Sequence, residues 1–373
     1  MKRTTVLQQQ LNSVLTTDNQ SLPALIPGGF SFHSHIPPSV PFTVFFFSYM
    51  YIGEGGITVK KSKHLNRIDK KRRTRIIKRK ILTSLLILMF LFSFLIEHVP
   101  SMPEWNSIFS KLGIGEEEIP FSDAPLKVIF PDVGQGDCAI VIADGETLLI
   151  DAGNPESSDN ILKILKKSSV SELDYVAVTH PHLDHYGGLT GVLPGIKVSC
   201  LLLTDISCIR MDFWGEYRSF LKLAENIPAV YPEPGQSFSL GKGEFTVLGP
   251  VKDSPDPNNM SLVIKLEYGD CSFIFTGDAE KEEEMSLVNN GSPVEADVLQ
   301  VSHHGSHTSS TDVFIRAVNP ETAVIQCEAG NAYGHPNRDT LNILGKYGIK
   351  VRRTDLEGNI YMGCDGKSIQ VAA

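Results

Sequence analysis

Cysteine is scarce in this chain: six occur in 373 residues, and none forms a Cys-x-x-Cys pair. That argues against a disulfide scaffold and against a thiolate zinc site. Internal repeats and low-complexity tracts are missing as well, so the chain reads as globular sequence with room for one large domain or two ordinary ones. Basic residues thin out beyond position 96: Glu97 to Ala373 holds 20 Lys/Arg against 40 Asp/Glu, a net charge of −20. A surface that acidic repels phosphate backbones at long range and disfavours nucleic acid as a partner. Charge of either sign is absent from Ile81 to Ile96, sixteen residues that directly follow a basic run.

That run, Val59 to Lys80, carries twelve Lys/Arg and a single acid, Asp69. A basic flank before an apolar core marks a secretory signal or signal anchor, with the basic side retained in the cytoplasm. Sixteen residues fall short of the roughly 20 that span a bilayer comfortably. Neither an Ala-x-Ala cleavage site nor a lipobox cysteine follows, so an uncleaved transmembrane anchor over residues 81–97 is expected, with a cleaved signal as the alternative. Residues 59–80 then form a basic cytoplasmic segment, and residues 98–125, with Glu116-Glu117-Glu118, a linker. Residues 1–58 share no period with the remainder. Glu54-Gly55-Gly56 can be encoded as a ribosome-binding sequence ahead of a GTG start at Val59, so residues 1–58 are expected to be a misassigned leader or a disordered cytoplasmic tail. The placement that follows is a single-pass membrane protein with its domain outside the cytoplasm, or a secreted one if the signal is cleaved.

From Leu126 to the C-terminus, strand and helix signals alternate. Short apolar runs such as Lys127–Phe130, Cys138–Ile142, Thr147–Ile150, Leu173–Thr179, Val198–Thr204 and Ser272–Thr276 read as strands. Asp159–Lys167, Phe213–Glu225, Ser310–Val318 and Arg338–Tyr347 read as helices. Cys138 and Cys271 fall in strands and are expected in the core; a Cys200–Cys208 bridge stays open. Glu282-Glu283-Glu284 reads as the solvated face of a helix start.

The domain has seven histidines after His98, and they fall in three clusters: His180, His182 and His185; His303, His304 and His307; and His335. Asp184 lies inside the first cluster, and neutral imidazole with carboxylate is the donor set that zinc-like divalent metals prefer. Each cluster follows an apolar strand, and Phe273-Ile-Phe-Thr-Gly-Asp278 delivers a further carboxylate from the end of another. Such strand ends can converge on one edge of a sheet.

His180-x-His182-x-Asp184-His185 with Gly187-Gly188, followed by Thr276-Gly277-Asp278, resembles the metallo-β-lactamase superfamily. Asp132-Val-Gly-Gln-Gly-Asp137, Leu149-Ile-Asp-Ala-Gly153, His303-His-Gly-Ser306 and Tyr333-Gly-His-Pro336 resemble, within it, the hydrolase domain of ComEC-type competence proteins. Bacterial phosphorylcholine esterases are similar too. The resemblance covers about residues 126–371. It implies an α/β fold, the four-layer αββα sandwich, with two divalent metals at one end of the sheets, zinc or alternatively manganese. Carried over, His180 and His182 bind the first metal, Asp184 and His185 the second, and Asp278 bridges them. Many members place a further histidine between the last two of these motifs; here Asn258-Asn259-Met-Ser261 stands in its place. His304 is therefore assigned to the first metal with His303 behind it, the two being interchangeable at this stage, and His335 to the second.

Two metals sharing a carboxylate, typically about 3.5–4 Å apart, would hold a bridging hydroxide as nucleophile. Asp184 is expected to orient it or take its proton, and His307 with Ser306 to protonate the leaving group or contact substrate, against a bland capping or exposed role. Asp132, Gln135, Asp137 and Asn259 line the site or shape its turns, and Asp151 orients ligands from behind. The expected activity is hydrolysis of a small-molecule or cell-envelope phosphodiester or phosphoester. The alternatives are a lactone, thioester or β-lactam hydrolase, a competence-related DNase, and, ranked last, a non-catalytic metal-binding module.

Overall fold

The computed structural model describes residues 78–86, 88, 119–209 and 214–372. Residues 78–86 and 88 are helical, with Ile81, Leu82, Leu85, Leu86 and Leu88 exposed. The rest of the expected anchor, and all of residues 1–77, lie outside the described residues. No helix among the described residues is long and apolar enough to cross a membrane.

The chain from Glu118 onward forms its own compact unit. Its first sheet holds eight strands: β1 (Leu126–Phe130), β2 (Ala139–Ala143), β3 (Glu146–Ile150), β4 (Glu172–Val178), β5 (Lys197–Leu203), β6 (Ala229–Val230), β14 (Ile360–Cys364) and β15 (Ile369–Ala372). They run in the order β15-β14-β1-β2-β3-β4-β5-β6. The second sheet, ordered β13-β12-β11-β10-β9-β8-β7, is built from β7 (Gln236–Leu240), β8 (Gly243–Gly249), β9 (Val263–Tyr268), β10 (Cys271–Phe275), β11 (Val298–Gln300), β12 (Thr322–Ile325) and β13 (Lys350–Arg353).

Runs such as Ala139–Ala143 are apolar at every position because both faces of these sheets are covered. Between the sheets lie Leu126, Val128, Phe130, Phe245, Leu266, Phe273 and Phe275. Outside the first sheet, Ile161, Ile164 and Leu165 of helix α1 (Ser158–Lys167) join Ile140 and Val176. Further helices on that side are α2 (Leu183–Tyr186), α3 (Leu189–Val192) and α4 (Trp214–Leu223), the last burying Tyr217 and Phe220. Helices α5 (Lys281–Asn290), α6 (Asp312–Val318) and α7 (Arg338–Lys346) cover the second sheet through Leu287, Phe314, Ile315 and Leu344. The helices start where their caps dictate: the Thr311 side chain accepts from Phe314 N, and that of Asn337 from Asp339 N. Four layers result, in the expected αββα order.

Cys138 and Cys271 are buried in the core as expected, but a disulfide that the sequence did not suggest is present, and the glutamate expectation needs correction. Cys271 is bonded to Cys364, while Cys200 and Cys208 are free. The partners stand 93 residues apart in sequence, but β10 begins and β14 ends at the same pole of the sandwich, in facing sheets. Glu283 and Glu284 are buried instead of solvated. Glu283 accepts from Val251 N at 2.7 Å, and Glu284 from Ser310 N and Thr311 N, so the pair ties α5 to two loops.

Candidate metal centre

β3 and β4 are parallel, as are β10, β11 and β12, so the segments leaving their carboxyl ends emerge at one pole. β3 delivers Asp151, β4 His180 to His185, β10 Asp278, and β11 the His303–His304 pair. The loop between β1 and β2 adds Gln135 and Asp137 from above. Close approach depends on glycine: a Cβ at Gly136 would meet the Asp184 carbonyl oxygen at 2.4 Å, and one at Gly277 the Thr179 hydroxyl at 2.8 Å.

Asp278 sits at the middle. Its Oδ1 lies 3.2 Å from His185 Nε2 and 3.7 Å from His304 Nε2, and its Oδ2 lies 3.7 Å from His180 Nε2. His304 Nε2 is also 3.4 Å from Asp184 Oδ2, and His180 Nε2 is 2.9 Å from His182 Nδ1. Yet Asp278 Oδ1, His185 Nε2 and His304 Nε2 are buried with no hydrogen-bond partner. Polar atoms that converge at these distances without bonding one another are costly unless a cation fills the space between them. The donor atoms of His180, His185 and Asp278 lie within 4.8 Å of one another, as do those of Asp184, His185 and His304. The residues therefore offer overlapping donor groups suited to divalent metal, with Asp278 grouped both with His180 and His185 and with Asp137 and His304.

The far sides of the His180, His185 and His304 imidazoles are held by a carboxylate or hydroxyl. Asp137 Oδ1 meets His304 Nδ1 at 3.1 Å, and Asp151 Oδ2 meets His185 Nδ1 at 2.8 Å. Asp151 is itself fixed by Thr179, through N at 2.8 Å and Oγ1 at 2.7 Å. Ser261 Oγ lies 3.3 Å from His180 Nδ1 and accepts from Asp278 N. Such bonds set ring orientation and leave the other nitrogen free for metal. Burial and the nearby His185 push the His180 pKa well down, and burial lowers that of His182, keeping both rings in the neutral form that ligates. Burial also works against ionised Asp278, but the surrounding His185 and His304 outweigh it and hold the carboxyl well below its ordinary range.

The backbone is strained at the site. His303 and His304 occupy the left-handed region, with φ of 53° and 55°, at about 1–3 kcal/mol each for non-glycine residues. The strain aims the two rings in different directions. His304 is buried, whereas His303 faces a cleft and contacts Glu280 at 3.3 Å and Asp278 at 3.6 Å. His304 is thus the inward member of the pair, and its donor atom groups with Asp184 and His185 instead of with His180 and His182.

The remaining expected residues separate by position. His182 and His335 belong to none of the donor groups, although both line the cleft; His335 meets Gln135 Nε2 at 3.3 Å, with its pKa pushed down to about 4 by burial and by His304. Asp132 closes a turn by accepting from Gly134 N. Asn259 is buried and accepts from Glu280 N and Glu283 N, capping α5 without reaching the site. Ser306 is buried, its hydroxyl bonded to Thr308. His307 is exposed and does not line the cleft. In its place the cleft, about 440 Å³, is lined by Gln135, His182, Leu183, Asp184, Glu216, Asn258, Asp278, His303, His304, Tyr333 and His335. Asn258 and Glu216 escaped the sequence reading. Asn258 adjoins Asn259 in the segment singled out between His185 and Asp278, which was a usable signal; Glu216 comes from a distant helix and left none.

The family model of the metallo-beta-lactamase superfamily matches residues 131–329. ComE operon protein 3 of Bacillus subtilis is 33% identical over 254 residues, covering 61% of this chain and 32% of the relative. Competence protein ComA of Neisseria gonorrhoeae is 31% identical over 252 residues, covering 66% and 33%. The chain spans about a third of the length of these curated relatives. Among solved structures, Igni18, a metallo hydrolase of Ignicoccus hospitalis, is 16% identical and covers 66% of this chain and 99% of that one, with a TM-score of 0.41.

Proposed function

The chain belongs to the metallo-β-lactamase superfamily, a family of metal-dependent hydrolases, and from that premise we propose that it hydrolyses phosphodiesters or related phosphoesters outside the cytoplasm. The observation that carries the reading is the convergence of unbonded, buried Asp278 Oδ1, His185 Nε2 and His304 Nε2 beneath an open cleft. His180, His182 and Asp278 would hold one ion, and Asp184, His185, His304 and Asp278 the other. Zinc suits this donor set, with manganese as the alternative. When bound, the metals supply an activated water and draw off charge that develops on the attacked phosphoryl group.

The chain's own groups do the remainder. Asp137 and Asp151 lock two imidazoles in place, so little reorganisation accompanies the reaction. Asp184 borders the cleft and is kept ionised by its contacts with His304 and His185 despite burial, so its carboxylate oxygens can accept a hydrogen bond that orients the attacking water. No Lys or Arg lines the cleft among the described residues. That disfavours a β-lactam, whose free carboxylate would need a cation, and a polynucleotide, whose flanking phosphates would go unmatched. A lone phosphodiester carries its one charge at the reacting group, where bound metals would balance it.

Placement outside the cytoplasm is supported by the Cys271–Cys364 disulfide, which suits an oxidising compartment, and by the basic flank before Ile81–Ile96. The resemblance to the hydrolase domain of ComEC-type competence proteins suggests DNA as a second substrate reading, weakened here by the −20 charge of residues 97–373. The deciding experiment assays the full chain, with zinc or manganese, on bis-p-nitrophenyl phosphate, p-nitrophenyl phosphorylcholine, single-stranded DNA and nitrocefin. Metal-dependent cleavage of the small diesters is the expected result. Cleavage of nitrocefin alone would overturn the phosphoester reading, and metal binding without any cleavage would favour a binding module.

A further inference from the structure

Tyr333 is 73% exposed on the wall of the cleft. A solvent-facing tyrosine on a loop is ordinary in itself; the loop that carries this one is tied by side-chain hydrogen bonds. Asn331 Oδ1 accepts from Tyr333 N at 3.1 Å and from His335 N at 3.0 Å, while its Nδ2 donates to the carbonyls of Glu328 and His335. The Tyr333 ring lies 25° from parallel to the His335 ring, centroids 5.7 Å apart, and His335 is braced in turn by Gln135. One face of the phenol ring is therefore backed by imidazole. Elsewhere the cleft offers the alkyl group of Leu183, 40% exposed, and the carboxylate of Glu216, but no Lys or Arg among the described residues.

A substrate with further phosphates beside the reacting one would meet carboxylates. A substrate with a flat ring there would meet a preordered face that loses little freedom on binding. We propose that Tyr333 is a stacking platform that selects phosphoesters bearing a planar aromatic ring, such as a nucleobase or aryl group, beside the reacting phosphoryl group, an inference that rests on the phosphoester reading above.

Calorimetric titration of the zinc-loaded full chain with adenosine 5′-monophosphate and ribose 5-phosphate, which differ by the base alone, tests the platform without turnover. The nucleotide should bind about 10-fold more tightly, within the range for one stacked base. Tyr333→Ala should close that gap, and Tyr333→Phe should preserve it. Equal affinities in the natural chain, no binding of either compound, or a gap that survives Tyr333→Ala would each overturn the proposal. A kinetic arm separates this failure from that of the broader reading. The kcat/KM ratio for adenosine 5′-(methyl phosphate) over ribose 5-(methyl phosphate), two diesters that differ by the base alone and carry no other ring of aryl type, should drop about 10-fold in Tyr333→Ala. Turnover of both esters with an unchanged ratio removes the platform and keeps the phosphodiesterase. Turnover of neither, with the Tyr333-dependent base preference intact, does the reverse.

Discussion

The two poles of the sandwich are built from the same strands and treat polar groups in opposite ways. At the pole where β10 begins, several polar side chains are matched: Asp297 Oδ2 accepts from both N and Oγ of Ser272 at 2.7 Å, and Asp144 accepts from Tyr268 OH and Lys242 N. The Cys271–Cys364 bond adds a covalent tie between the sheets there. At the pole where β10 ends, Asp137 Oδ2, His185 Nε2, Asn258 Oδ1, Asp278 Oδ1 and His304 Nε2 are buried without hydrogen-bond partners, and two consecutive histidines hold left-handed backbone. One pole serves stability and the other stores its cost for a ligand.

The sharpest break of that contrast is Asp278→Ala. Removing the shared carboxylate should cost several kcal/mol of transition-state stabilisation, so hydrolysis should fall by at least ~10³-fold. Bound metal, measured by elemental analysis, should fall with it. Full metal content and activity in that variant would remove Asp278 from the centre. Next in size is the opposite pole. Cys271→Ser with Cys364→Ser opens a long loop and should lower stability by about 2–5 kcal/mol, read by urea denaturation, while the folded fraction keeps its metal content. A bridge that proves absent by thiol titration of the native protein would end the contrast. Smaller again is Asp137→Asn, which leaves the His304 ring without its carboxylate and should weaken metal binding about 10- to 100-fold. Unchanged affinity by competition with a chelator would show that His304 is held by packing alone.

How far these two poles were legible in the sequence depended on distance along the chain. His180 to His185 lie within six residues, so their spacing alone signalled a donor set, and the strand before Thr276-Gly277-Asp278 marked the next carboxylate. The pairing of Asp137 with His304, 167 residues apart, left only two separate motifs, and nothing in either said that the carboxylate would sit beneath that ring. Cys271 and Cys364 were invisible as partners for a related reason: two strands in facing sheets share no pairing register. His303 and His304 were interchangeable until the backbone fixed which ring turned inward.

Glu283 shows the remaining failure, since three successive acids read as a solvated face, and its burial yields the mildest prediction. Burial pushes the Glu283 carboxyl from 4.5 up to about 7, against the smaller opposing effects of Val251 N and Lys252. In the folded chain the group holds its proton up to about pH 7, whereas the unfolded chain releases it near 4.5. Between those values the native state binds more protons, so stability should fall as pH rises through the window and stay lower above it. The effect is on the order of 1–3 kcal/mol for a buried group shifted this far. Glu283→Gln keeps an oxygen for Val251 N and has no charge to bury. Its unfolding free energy should therefore match that of the natural chain near pH 5 and exceed it near pH 8. The metal-binding pole lies outside this effect, so metal content should be the same in both proteins. Parallel denaturation curves at the two pH values would show instead that Glu283 titrates as an ordinary surface acid.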